Sequence, residues 1–156
     1  MDRAALLRTY RACHYDVRRP GTGGRDTLRI GEPVPAAIVN WLGDAPLCAF
    51  ITAYNPHSAP GTAQANRRAQ QELLRTLTRW RARWLPGAGR LPGQPWREPS
   101  LLAAGPDCDA IDALAWRHSQ NAVVLAHGNR PVQLRLYGAA WAATDDGDPA
   151  VVVVRR

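Results

Sequence analysis

Apolar positions fall into two kinds of pattern, and the clearest are in the middle of the chain. Leu47 to Tyr54 reads L-C-A-F-I-T-A-Y, a short apolar run of strand length, as in a strand buried on both faces. Asn55-Pro56 stops it, because the residue before a proline is pushed out of the helical region. Thr62 then stands where a helix cap is needed. Ala65, Ala69, Leu73, Leu77, Trp80 and Trp84 recur at steps of three or four, which predicts an amphipathic helix with its tryptophans in the core. Pro86-Gly87 is expected to end that helix. Gly87 to Pro95 is loop-rich, with room for one short edge strand. Trp96 to Ala104 reads as a strand with Glu98 and Pro99 at its start, a position where proline is tolerated. Asp107 caps a second helix whose inner stripe is Ile111, Leu114, Ala115 and His118. Gln120-Asn121 ends it, and Ala122 to Ala126 is another buried strand. Val132, Leu134 and Leu136 alternate with polar residues in a further strand, and Val151 to Val154 closes the chain as a strand. The first forty or so residues are less regular. They suggest a short N-terminal helix, a hairpin from Tyr10–Val17 and Thr27–Ile30 around Pro20–Gly24, and a helix from Pro33 to Trp41.

From Leu47 the order is strand, helix, short strand, strand, helix, strand. It fits an α+β fold, a split β-α-β (ferredoxin-like) antiparallel sheet with helices on one face. An N-terminal helix and hairpin and a C-terminal hairpin are added to it. The whole of 1–156 is expected to be a single domain: an N-terminal elaboration over 1–44, the core over 45–137 and an extension over 138–156.

This topology makes a geometric claim. The first core strand ends at the sheet edge where the third and fourth begin, the first long helix starts there and the second ends there. Thr52, Asn55, Ser58, Asn66, Glu98, Gln120 and Asn121 should therefore converge at that edge, within the segments Thr52–Ser58, Asn66, Glu98 and Gln120–Asn121. The loop Gly89 to Trp96 should overhang them. Glu98 is the one carboxylate of the set and the candidate catalytic residue, since burial raises a carboxyl pKa and makes a general acid or base. Thr52, Asn55, Ser58, Asn66, Gln120 and Asn121 are candidate ligand-binding residues, and His57, Arg90 and Arg97 are close enough in sequence to serve an anion. Each has a structural explanation as well: loop building for Asn55 and Ser58, a loop-to-helix tie for Asn66, a helix cap for Gln120-Asn121, and a charge partner for Glu98.

Composition narrows the chemistry. The net charge is +7, which favours anionic partners, and every basic residue among the 20 is arginine. Pro20 to Gly24 lacks the Gly-Lys-Ser/Thr of a phosphate loop and reads as a turn. Cys13, Cys48 and Cys108 make neither a disulfide framework nor a zinc pattern. No metal and no cofactor is expected. No apolar run reaches membrane-spanning length and no leader is evident, so the expected compartment is a bacterial-type cytoplasm.

The same residues carry a resemblance. Phe50-Ile51-Thr52-Ala53-Tyr54-Asn55-Pro56-His57-Ser58, Asn66-Arg67, Leu85-Pro86-Gly87-Ala88-Gly89, Trp96-Arg97-Glu98-Pro99-Ser100-Leu101-Leu102 and Ser119-Gln120-Asn121-Ala122-Val123-Val124 match in order and spacing the bacterial domain-of-unknown-function family DUF3293. The resemblance runs from about residue 10 to 137. His118-Ser119 and Ala12 depart from the family pattern, outside the polar cluster. The resemblance brings no activity, but it implies that the edge cluster is shared among members.

Three functions compete. The first is a small polar or anionic ligand bound at the edge, with enzymatic use of Glu98 as one form of it. The second is a non-enzymatic interaction or regulatory protein in which the cluster is structural. The third, less favoured, is an RNA- or DNA-binding module, since the strands are aliphatic and lack a basic-aromatic signature. Oligomeric state is not legible.

Overall fold

The computed structural model describes residues 2–156; Met1, part of the expected N-terminal helix, lies outside them. Helix α1 (Arg3–Ala12) is capped by Asp2, whose carboxylate accepts from the Ala5 N–H, and it leads into the hairpin β1 (His14–Arg18) and β2 (Arg25–Leu28). Tyr10 is thus helical rather than the first residue of a strand. Next come α2 (Ala36–Leu42), β3 (Cys48–Ile51), a 3-10 turn at Pro56–Ser58 and α3 (Ala63–Arg79), with Thr62 accepting from the Ala65 N–H as the expected cap. They are followed by β4 (Arg83–Arg90), β5 (Arg97–Ala104), α4 (Cys108–Arg117) capped by Asp107, β6 (Ala122–Ala126), β7 (Gln133–Tyr137) and β8 (Val151–Val154).

All eight strands share one sheet in the order β2-β1-β4-β5-β3-β6-β7-β8. β3 lies between β5 and β6 and is antiparallel to both. The core is split by the strand period of two. Ala49, Ile51, Leu101, Ala103, Val123 and Leu125 pack with Leu73 and Leu77 of α3 and Ile111, Leu114 and Ala115 of α4. Cys48, Phe50, Leu102, Ala104, Val124 and Ala126 point the other way and pack with Leu7 of α1 and Ile38 and Leu42 of α2. So α3 and α4 share one face, but helices cover both.

Three details differ from the sequence reading. α3 ends at Arg79, and Pro86 and Gly87 lie inside β4 instead of stopping the helix. β4 is also not an edge strand, because β1 pairs along its far side. Pro86 is accepted because the β1 ladder ends at Gly87, one residue before the proline nitrogen would be needed. With the helix shorter, Trp80 and Trp84 leave its buried stripe and are 43% and 39% exposed. Finally, the C-terminal extension is not a hairpin: a 3-10 segment at Ala139–Thr144 carries the chain back, and β8 pairs with β7 in parallel.

Candidate functional site

β3 runs out at Ile51, and the backbone that follows is unusual. Asn55, His57 and Ser58 have φ of 50°, 55° and 57°, and Ser119, at the end of α4, has φ of 52°. The left-handed region is unfavourable for residues with a Cβ, and such conformations persist only where the surroundings enforce them. Here they are enforced by contacts. The His57 N–H donates to the Ser119 carbonyl at 2.7 Å, which joins the two strained turns. The Asn66 carboxamide, buried at the start of α3, accepts from the Asn55 N–H and donates to Asn55 Oδ1, both at 2.9 Å. Asn55 Oδ1 also accepts from the Gly61 N–H at 3.1 Å. Thr52 Oγ1 donates to the Pro99 carbonyl at 2.8 Å and accepts from the Tyr54 N–H at 3.0 Å. Gln120 Nε2 donates to the carbonyls of Tyr54 and His118, both at 3.1 Å.

This framework borders a cavity of about 380 Å³. Thr52, Asn55, Ser58, Glu98, Gln120 and Asn121 line it. Asn66 does not; it holds Asn55 from behind. The cavity lies on the α1 side of the sheet, where Leu6, Thr9 and Tyr10 of α1 and Cys13 at its C-terminal cap form one wall and Tyr15, Phe50, Val124 and Leu134 the floor. Exposed Ser58, Pro60, Gln94 and Trp96 mark its mouth, so the Gly89–Trp96 segment does border the site. His57, Arg90 and Arg97 are not among the lining residues. Arg90 instead binds Asp16 at 2.6 Å and approaches His14 Nδ1 at 3.1 Å.

Glu98 is the chemically distinctive group. Its Oε2 accepts from Asn55 Nδ2 at 2.8 Å, and Oε1 has no hydrogen-bond partner among the described residues. Burial pushes its pKa up to about 7, and the Asn55 bond only partly offsets this. A second polar group adjoins it: Tyr10 Oη and Ser58 Oγ share a hydrogen bond of 2.6 Å, and Asn121 Nδ2 donates to Ser58 Oγ at 3.1 Å. Burial raises the Tyr10 pKa, and burial with the nearby Glu98 pushes the Cys13 thiol up to about 11. Both therefore stay protonated at neutral pH, and Glu98 is the lining group that exchanges a proton near pH 7.

Sequence reasoning missed the contribution of α1 and of Tyr15, and placed Trp96 only as the end of the overhanging loop. One signal was available. Glu98 and Ser100 alternate along β5, with Trp96 one step ahead of its start, and so share a face, which is the face that α1 covers.

No curated protein and no solved structure matches the chain. A family match covers residues 51–123, a shorter stretch than the resemblance suggested. It takes in Thr52, Asn55, Ser58, Asn66, Glu98, Gln120 and Asn121, and leaves out α1 and Tyr15. Over residues 51–123 the chain is similar to the family described as Protein of unknown function (DUF3293).

Proposed function

We propose that the protein binds a small polar organic ligand in the cavity beneath α1, with Glu98 as its principal polar contact and the proton-exchanging group if the ligand is turned over. The observation that carries this reading is Glu98 Oε1, without a hydrogen-bond partner among the described residues, on a carboxyl that also lines a cavity of about 380 Å³. Ligand sites are typically clefts of about 300–1,000 Å³ with mostly apolar walls and a few convergent polar groups. The strained backbone of Asn55 and Ser58, both of which line it, adds support, since such backbone is concentrated at functional sites.

We also read β3-α3-β4-β5-α4-β6 as a ferredoxin-like split β-α-β unit, a reading supported by the order β4-β5-β3-β6. In such a unit nucleic acid would stack on the open sheet face. Here α1 and α2 cover that face, which favours the small-molecule reading over the nucleic-acid one. The three free thiols suit a reducing compartment, and residence in a bacterial cytoplasm belongs to the same proposal.

The competing interaction-protein reading makes the cluster purely structural. Native mass spectrometry of freshly purified wild type beside a Glu98→Gln/Asn121→Ala double variant separates the two. A small adduct on the wild type, absent from a folded double variant, is expected. No adduct, with a double variant that melts well below wild type, would favour the structural role.

A further inference from the structure

We infer that the cavity selects a small organic amine, with its ammonium on Glu98 and its apolar body against the aromatic floor. This rests on the small-molecule reading above and goes on to name the class of ligand.

Charge is the first argument. The chain carries 20 basic residues and a net charge of +7, yet among the described residues no arginine or histidine lines the cavity and Glu98 is its one carboxylate. Neighbouring cations are drawn elsewhere: Arg90 to Asp16, and Arg11 to Asp146 and Asp148. An anionic ligand would meet a carboxylate with no counter-charge, whereas an ammonium would form a charge-assisted hydrogen bond in a poorly hydrated setting.

Hydrogen-bonding capacity is the second. Gln120 Nε2 donates two bonds within the protein, and the amide nitrogens of Asn55 and Asn121 one each of their two. Glu98 Oε1 and Asn121 Oδ1 engage no donor among the described residues. The inventory is tilted toward acceptors, and a protonated amine is a donor without an acceptor. The Tyr15 and Phe50 rings, edge to face at 5.4 Å between centroids, and Trp96 at the mouth supply surfaces that attract a cation as well as an apolar body.

A titration calorimetry panel of benzylamine, benzyl alcohol and benzoate decides the matter. At pH 8 wild type should bind benzylamine roughly tenfold more tightly than benzyl alcohol, in keeping with a charge-assisted bond, and benzoate least well. At pH 5.5 benzylamine is still protonated but Glu98 holds its proton, so the preference should shrink severalfold. Glu98→Gln should keep benzyl alcohol binding and lose the preference for the amine. If that variant does not fold, the wild-type comparison between the two pH values decides alone. Equal binding of amine and alcohol at both pH values would overturn the amine assignment and leave the cavity reading standing. Tightest binding of benzoate would overturn it in favour of an anion. Binding of none of the three would count against the cavity reading itself.

Discussion

Asn55 Nδ2 donates to Glu98 Oε2 across 2.8 Å, while its own backbone sits at a φ of 50°. One residue thus joins the strained turn after β3 to the carboxyl on β5. The two roles separate by substitution. Asn55→Ala and Asn55→Gly both lose the side chain's bonds to Glu98, Asn66 and Gly61, but only the alanine keeps a Cβ on this left-handed backbone. By urea denaturation the alanine variant should be the less stable by about 1–2 kcal/mol, the cost of holding a Cβ in the left-handed region. Both variants should raise the Glu98 midpoint further, since the Asn55 bond lowers it.

Glu98 makes stability depend on pH in a direction opposite to that of a salt-bridged carboxylate. Burial raises its pKa from an ordinary 4.5 to about 7 in the folded protein. The folded state therefore keeps a proton that the unfolded state has lost, and stability falls as pH rises through that window. Glu98→Gln removes the penalty. Its stability should exceed that of wild type at pH 8 by on the order of 1–3 kcal/mol, and the difference should shrink toward pH 4.5. Denaturation curves at the two pH values check this, and an equal or lower stability of the variant at pH 8 would mean that the carboxyl is well solvated.

Asn66 is buried and satisfies both the backbone N–H and the side-chain oxygen of Asn55. Asn66→Ala leaves the Asn55 N–H without its partner and Asn55 Oδ1 with only the Gly61 N–H, and should cost about 1–3 kcal/mol. Gly61 is pressed against the same carboxamide: a Cβ there would stand 2.8 Å from Asn66 Oδ1. Gly61→Ala should therefore shift Asn66 and weaken any ligand binding that depends on Asn55, with a smaller loss of stability than Asn66→Ala. Denaturation and ligand titration of the two variants compare these effects.

Gly87 in β4 has no room for a side chain. A Cβ would lie 2.5 Å from the Asp16 carbonyl and 2.8 Å from Phe50 Cε2. The first of these is backbone of a paired strand and cannot turn aside. Gly87→Ala should cost at least the roughly 1–3 kcal/mol typical of an overpacked core, and the β1–β4 pairing should lose hydrogen-exchange protection.

The central elements were legible because local signals agreed with the fold. Thr62 caps α3 as its position suggested, and His118 is buried at the end of α4 as expected, whereas β3 stops at Ile51, short of the Tyr54 that Asn55-Pro56 suggested. The end of α3 was misread because Trp80 and Trp84 continue the helical spacing, and Pro86-Gly87 looks like a stop signal. Tertiary pairing overrides it: β1 and β5 flank β4, and only the length of the β1 ladder makes Pro86 acceptable. The polar residues of the site could be gathered from strand and helix order alone. The helix that roofs the cavity could not, because α1 meets the site through contacts as distant in sequence as Tyr10 with Ser58. Nothing in the pattern of a short helix records which face it will cover.

The central claim is that the Glu98 carboxyl is poorly hydrated and faces the cavity, and its own titration tests that most directly. Following the Glu98 side-chain carboxyl by carbon-13 NMR against pH, with Glu98→Gln to assign the signal, should give a midpoint near 7. A midpoint near the ordinary 4.5 would show a carboxylate hydrated like any on the surface and would contradict the account.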